Sequence, residues 1–185
     1  MRNIKSIYFI SLLFLTIQIY GQKTATYSDP YLSFKKGKDF YDQGLFQEAL
    51  KQFEIAKSLA EPLNESSFKS LDESFRFYAA HCALILDYPE GEKEMKAVAI
   101  EYNPSPISNK AMFVLGDYYY NQRQYQNAID YYSQLNTNDF TVLENSEARF
   151  KQGYCHFVLK EFEAAELSLA QTISLQNEFY FPSNY

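Results

Sequence analysis

The stretch MFVLGDYYYNQRQYQNAIDYYSQL, residues 112–135, decides the fold of this chain. Met112, Leu115, Gly116 and Tyr119 recur at spacings of three and four, which is the period of one buried face of an α-helix. Asn121 to Gln124 interrupt the pattern, and Tyr125, Ala128 and Tyr132 resume it. The stretch therefore reads as two antiparallel helices joined by a short turn.

The same arrangement repeats along the chain. A small residue stands at Gly37, Ala79, Gly116 and Gly153, and an aromatic follows nine residues later at Phe46, Tyr88, Tyr125 and Phe162. Twelve residues after the first small residue comes a second, at Ala49, Gly91, Ala128 and Ala165. Sixteen after it comes a large side chain, at Phe53, Met95, Tyr132 and Leu169. Helices cross at about 8–10 Å, so small residues on both sides permit close contact. The Gly/Ala pair twelve apart is expected at each crossing, with the aromatic at nine over the turn. Asp29 reads as an N-cap with Pro30 at the first helical position, and Ser108 as the N-cap of the third unit.

Composition agrees with helices. The 185 residues include 17 Tyr and 16 Phe, no Trp, and only six Gly and six Pro, too few turn formers for an all-β chain. A 46% hydrophobic and 22% charged chain is globular rather than disordered. Arg2 and Lys5 followed by the apolar run Ile7–Ile19 and Gly21 have the layout of a cleavable export signal over residues 1–21. That run is shorter than the ~20 residues a membrane span needs. Residues 22–29 then read as a short linker, and no integral span is expected in the mature chain. Cleavage removes two of the 17 Lys+Arg and leaves 15 against 23 Asp+Glu, a net charge of −8. Lys35, Lys36 and Lys38 form the single basic cluster, with Asp39 and Asp42 beside them, so nucleic acid is not an expected partner.

With these residues in place, the chain resembles the tetratricopeptide repeat family, from residue 30 to about 179. LSFKKGKDFYDQGLFQEALKQFEIAKSL (32–59) and residues 112–135 are the clearest copies, RFKQGYCHFVLKEFEAAELSLA (149–170) is a third, and FYAAHCALILDYPEGEKEMKAV (77–98) departs most. The resemblance implies an all-α, right-handed solenoid of about four repeats, at about 30–63, 72–105, 109–142 and 146–179, within an array over 30–185. The leader, Tyr27-Ser28-Asp29-Pro30, the repeats and the ending Phe179–Tyr185 are also similar to secreted Gram-negative envelope proteins of this type, Tol–Pal-system-like or outer-membrane-assembly-like. Periplasmic or outer-membrane-associated placement follows from that resemblance.

No H-E-x-x-H, G-x-S-x-G, G-x-G-x-x-G or G-K-[ST] sequence is present, so no enzyme, metal site or cofactor is expected. His81-Cys82 and Cys155-His156 could supply four zinc ligands, but a whole repeat separates them, ~20 Å at ordinary helix spacing. Two small, buried apolar residues with no disulfide between them are the better reading.

In the family, the first helices of the repeats line a concave peptide-binding face. Its pattern falls here on Phe34, Lys38 and Tyr41; on Arg76, Ala80 and Ala83; on Phe113, Asp117 and Tyr120; and on Phe150, Tyr154 and Phe157. Each trio has i, i+4, i+7 spacing and shares one helix face. Seven of the twelve are aromatic. The Lys/Asn arrangement that clamps a C-terminal carboxylate is missing. Two functions remain: a scaffold that binds a peptide or helix of another envelope protein, or a glycan-binding module with Tyr and Phe platforms. The last helix carries Phe162, Ala165, Leu169 and Ile173, and an array needs a polar cap at its end. Its outer face is therefore expected to meet further repeats or a second copy.

Overall fold

A computed structural model describes residues 29–61, 69–173, 178, 179 and 183; the leader, the linker up to residue 28 and most of the chain's ending lie outside them. Among the described residues there are eight α-helices and no strand. They are α1 (Pro30–Asp42), α2 (Phe46–Ala60), α3 (Lys69–Ile85), α4 (Gly91–Glu101), α5 (Pro106–Asn121), α6 (Tyr125–Tyr132), α7 (Val142–Val158) and α8 (Phe162–Ile173). A single 3₁₀ turn, Thr137–Asp139, lies between α6 and α7. None of these helices is long and apolar enough to cross a membrane.

The chain divides into two compact units, one ending at Phe75 and one starting at Arg76. In the first, α1 and α2 form a hairpin. Asp29 accepts from the Tyr31 N–H at 2.8 Å with Pro30 at the first turn, as the sequence predicts. Ala49, Phe53 and Ala56 of α2 are buried, and Phe34 packs on Phe53 and edge-on to Phe75, with ring centres 5.8 and 5.2 Å apart.

In the second unit, α4 to α8 pack in series, each on its neighbours in the chain, and α5 also reaches α7. This is the order of a helical-repeat array. Its core holds Phe77, Met95, Val98, Leu115, Tyr119, Ile129, Tyr132 and Cys155. The third repeat starts earlier than the sequence suggests. Ser105 is the N-cap of α5, accepting from the Ser108 N–H at 3.2 Å, because Pro106 already has the φ a first helical residue needs. Ser108 lies inside the helix, buried, and donates to the Ala99 carbonyl at 2.6 Å. Before α7, Thr141 and Glu144 form a reciprocal capping box.

All four hairpin turns are built alike. The second residue after each first helix has positive φ: Gly44 (75°), Asp87 (56°), Arg123 (59°) and Lys160 (65°). The next N–H, of Leu45, Tyr88, Gln124 and Glu161, reaches back 2.9 Å to the carbonyl of Phe40, Ala83, Tyr119 and His156. This six-to-one bond is a Schellman closure, and it sets the register of the repeats. Counting back seven residues from each positive-φ position gives Gly37, Ala80, Gly116 and Gly153. The small residue of the second repeat is therefore Ala80, which is 3% exposed, and not the half-buried Ala79.

What the small residue does also differs from the expectation. A Cβ on Gly37 would fall 2.6 Å from the Phe53 ring, on Gly116 2.5 Å from Tyr132, and on Gly153 2.7 Å from Leu169. The glycine makes room first for the large side chain sixteen residues on, and at Gly153 the carbonyl oxygen of its small partner Ala165 is also close, at 3.3 Å. Gly91 differs again, with a Cβ there lying 2.6 Å from the Leu84 backbone nitrogen, a true backbone-to-backbone approach.

Candidate functional site

The turn register fixes which positions of the first helices correspond. In α5 and α7 the trios Phe113, Asp117 and Tyr120, and Phe150, Tyr154 and Phe157, occupy matching positions. In α3 the equivalents are one residue later than expected: Phe77, His81 and Leu84. Arg76 instead pairs with Glu101 at the end of α4 and donates to the Tyr102 hydroxyl at 3.2 Å, within its own hairpin. Ala80 is in the core, and the Ala83 backbone lies close to Gly91. In the first unit, Lys38 pairs with Asp42 at 3.0 Å and lies 4.8 Å from the centre of the Tyr41 ring. Tyr41 in turn meets Phe46 edge-on.

That last contact recurs. Tyr41–Phe46, Tyr120–Tyr125 and Phe157–Phe162 are all edge-to-face pairs, with ring centres 5.6, 6.4 and 5.9 Å apart. The aromatic nine residues after the small one therefore clasps the aromatic at the end of the preceding helix. In the last hairpin both rings stay open to solvent, Phe157 at 57% and Phe162 at 59% exposure. Tyr154, 40% exposed, completes a triangle with Tyr120 and Tyr125 at 5.7 and 6.1 Å. Phe150 packs against Phe179.

A cleft of about 330 Å³ opens between α3 and α5, lined by His81, Leu84, Ile85, Phe113, Val114, Asp117, Tyr118 and Asn121. Asp117 organises its floor. It accepts from the Tyr132 hydroxyl at 2.5 Å and pairs with Lys151 of α7 at 2.8 Å. Lys151 also pairs with Glu147 at 2.6 Å and lies about 6 Å above the rings of Phe113 and Tyr120, with 5.9 and 5.8 Å to their centres. Burial lifts the Asp117 carboxyl above its usual value, against the opposing pull of Lys151 and Tyr132. Burial and Asp117 together push the Tyr132 hydroxyl far up, so it remains a donor. Burial alone lowers His81 to about 4, which makes it a neutral imidazole at pH 7.

Two features were not legible as site elements. His81 entered only as a neighbour of Cys82, and Lys151 and Glu147 were not singled out. The i, i+4 spacing of Glu147 and Lys151 was a usable signal, as was the repeat of Phe at Phe34, Phe77, Phe113 and Phe150. Elsewhere, Glu92 and Lys96 of α4, four residues apart, pair at 2.6 Å, and the pair also reaches a second helix. The Tyr119 hydroxyl donates to Glu92 at 2.5 Å and ties α4 to α5, and Lys96 followed by Tyr119 holds that carboxyl below its usual range. Cys82 and Cys155 are both buried thiols, and burial pushes Cys155 up to about 12, so it has no thiolate character at pH 7. The described residues contain no grouping of His, Cys, Asp and Glu that could hold a metal ion.

A family model of the tetratricopeptide repeat matches residues 86–139, from the turn after α3 through α4, α5 and α6 to the 3₁₀ turn. No curated protein matches the chain. A tetratricopeptide repeat is thus found in the segment that supplies one wall of the cleft, and such repeats generally mediate protein–protein interactions.

Proposed function

We propose that this chain is a non-enzymatic scaffold of the cell envelope whose open face on α3, α5 and α7 binds a peptide or helix of another protein. The observation that carries this reading is the coexistence of a cleft with a carboxylate in its lining and solvent-exposed rings on α7, Tyr154 and Phe157. Exposed rings held by edge-to-face neighbours offer contact area with little ordering cost, which favours them at interfaces. The export layout of residues 1–21 supports action outside the cytoplasm. The exposed Phe162 and Leu167 on α8 offer a second contact, for further repeats or another copy of the chain.

The test compares wild type with the double variant Tyr154→Ala/Phe157→Ala. Both side chains are exposed, so the variant should melt close to wild type. It should lose the proteins that wild type retains from a periplasmic extract. The same rings would also suit a sugar face, so purified cell-wall glycan forms the second arm. Saturable glycan binding abolished by Tyr120→Ala and Tyr154→Ala would replace the scaffold reading with the glycan one.

A further inference from the structure

The cleft between α3 and α5 has a polarity that selects its occupant. Leu84, Ile85, Phe113 and Val114 give it an apolar wall suited to an aliphatic chain, and Asp117 and Asn121 give it a polar end. Its volume is at the low end for ligand pockets, enough for one long side chain. The residues lining it include one carboxylate and no Lys or Arg.

That carboxylate is half used. Tyr132 and Lys151 both bond to Oδ1 of Asp117, and among the described residues no group bonds to Oδ2. No fully buried side-chain polar atom among them lacks a partner, so Oδ2 is not sealed from solvent, and the Asp117 side chain is 27% exposed. Lys151 does not neutralise this end of the cleft, because it is shared between Asp117 and Glu147. Next to Asp117 on the same helix, burial and then the charges of Glu92 and Asp87 raise the Tyr118 hydroxyl, with Lys96 the opposing cation. Carboxylates outnumber ammonium groups around both residues, and the neutral His81 does not redress the balance.

On the interaction reading given above, on which this inference rests, we propose that the cleft takes a Lys or Arg side chain of the partner segment. The alkyl stem lies along Leu84, Ile85 and Phe113, and the cationic head bonds to Asp117 Oδ2 and the Asn121 amide oxygen. A cation with an apolar stem satisfies every group present. A partner carboxylate would meet Asp117 with no cation left over to receive it.

Selection from a random heptapeptide display library tests this. Wild type should enrich sequences that share a Lys or Arg at one position. Norleucine at that position should weaken binding about tenfold, the loss of one charge-assisted contact. Asp117→Asn should remove the preference for a basic residue. Because that change also unpairs Lys151, a second variant is needed. Ile85→Lys, at a position 44% exposed, puts an ammonium at the mouth without touching the Asp117 network, and it too should abolish the preference. Enriched peptides with no shared basic residue, or with an acidic one in its place, overturn this inference and leave the interaction reading standing. A basic preference that survives both variants also overturns it. Failure of wild type to enrich any sequence removes both.

Discussion

Replacing Gly116 by Ala puts a methyl group 2.5 Å from Cε1, 2.8 Å from Cδ1 and 3.0 Å from Cζ of the Tyr132 ring. Ordinary carbon contacts begin near 3.5 Å, so the ring must retreat by about 1 Å. The ring has little freedom to do so. It is buried, it meets Phe113 edge-on, and its hydroxyl is held at 2.5 Å by Asp117. Two effects oppose each other. Ala gains about 1 kcal/mol over Gly in a helix interior. Overpacking a tight core costs about 1–3 kcal/mol, and stretching a hydrogen bond to a charged acceptor adds to that. The expected outcome is a net loss of about 1–2 kcal/mol, seen as a lower urea midpoint by circular dichroism. The cause is isolated by repeating the change on a Tyr132→Leu background. With the ring gone, Gly116→Ala should become neutral or stabilising, a coupling of about 1–3 kcal/mol between the two sites. If Gly116→Ala stabilises the wild type, or acts equally on both backgrounds, the glycine is not there to admit the ring.

Two further outcomes follow from polar contacts. Asn109 is 6% exposed and clamps the loop after α6, donating to the Asn136 carbonyl at 2.8 Å and accepting from its N–H at 3.0 Å. Asn109→Ala should cost about 1–3 kcal/mol by stranding those backbone groups, with faster hydrogen exchange at Asn136; unchanged exchange would show that the clamp is idle. His81 gives a pH signature. Its pKa is lowered from 6.5 to about 4 by burial, so as pH falls through that window the unfolded chain takes the proton first and stability drops. The loss should reach at most about 3 kcal/mol by pH 4, and His81→Gln should flatten the curve between pH 6.5 and 4.5. Glu92 and Glu144, whose pKa values are lowered, act only below their unfolded values, beneath that window.

The sequence carried the hairpins plainly because each depends on a local signal. Pro30 follows Asp29, Gly44 sits in a turn, and apolar residues recur at three and four. The start of α5 was misplaced because Ser105 and Ser108 are both good caps, and Pro106 decides between them only if its fixed φ is given priority over side-chain type. The polar floor of the cleft was hidden for a different reason. Asp117, Tyr132 and Lys151 lie on three helices, and no periodicity within one helix reports a bond between two.

The second repeat shows how a single ambiguity carries through to the site. Ala79 and Ala80 are adjacent and alike, so size cannot tell which one faces the core. Choosing Ala79 rotates the whole helix by one residue, about 100°. That register puts Arg76 at the groove position and His81 to one side of it. The aromatic pattern could have decided the matter. Only the register through Ala80 aligns Phe77 with Phe34, Phe113 and Phe150, and only that register aligns Cys82 with Cys155. The structure adds the physical reason. Gly91 must approach the backbone at Ala83 and Leu84, so α4 presses on α3 at that point, and the buried small residue one turn earlier is Ala80. With α3 in this register, His81 and Leu84 come opposite Phe113 and Asp117, and a cleft exists where the other register would have put an arginine. The chemistry of this face therefore turns on the choice between two neighbouring alanines.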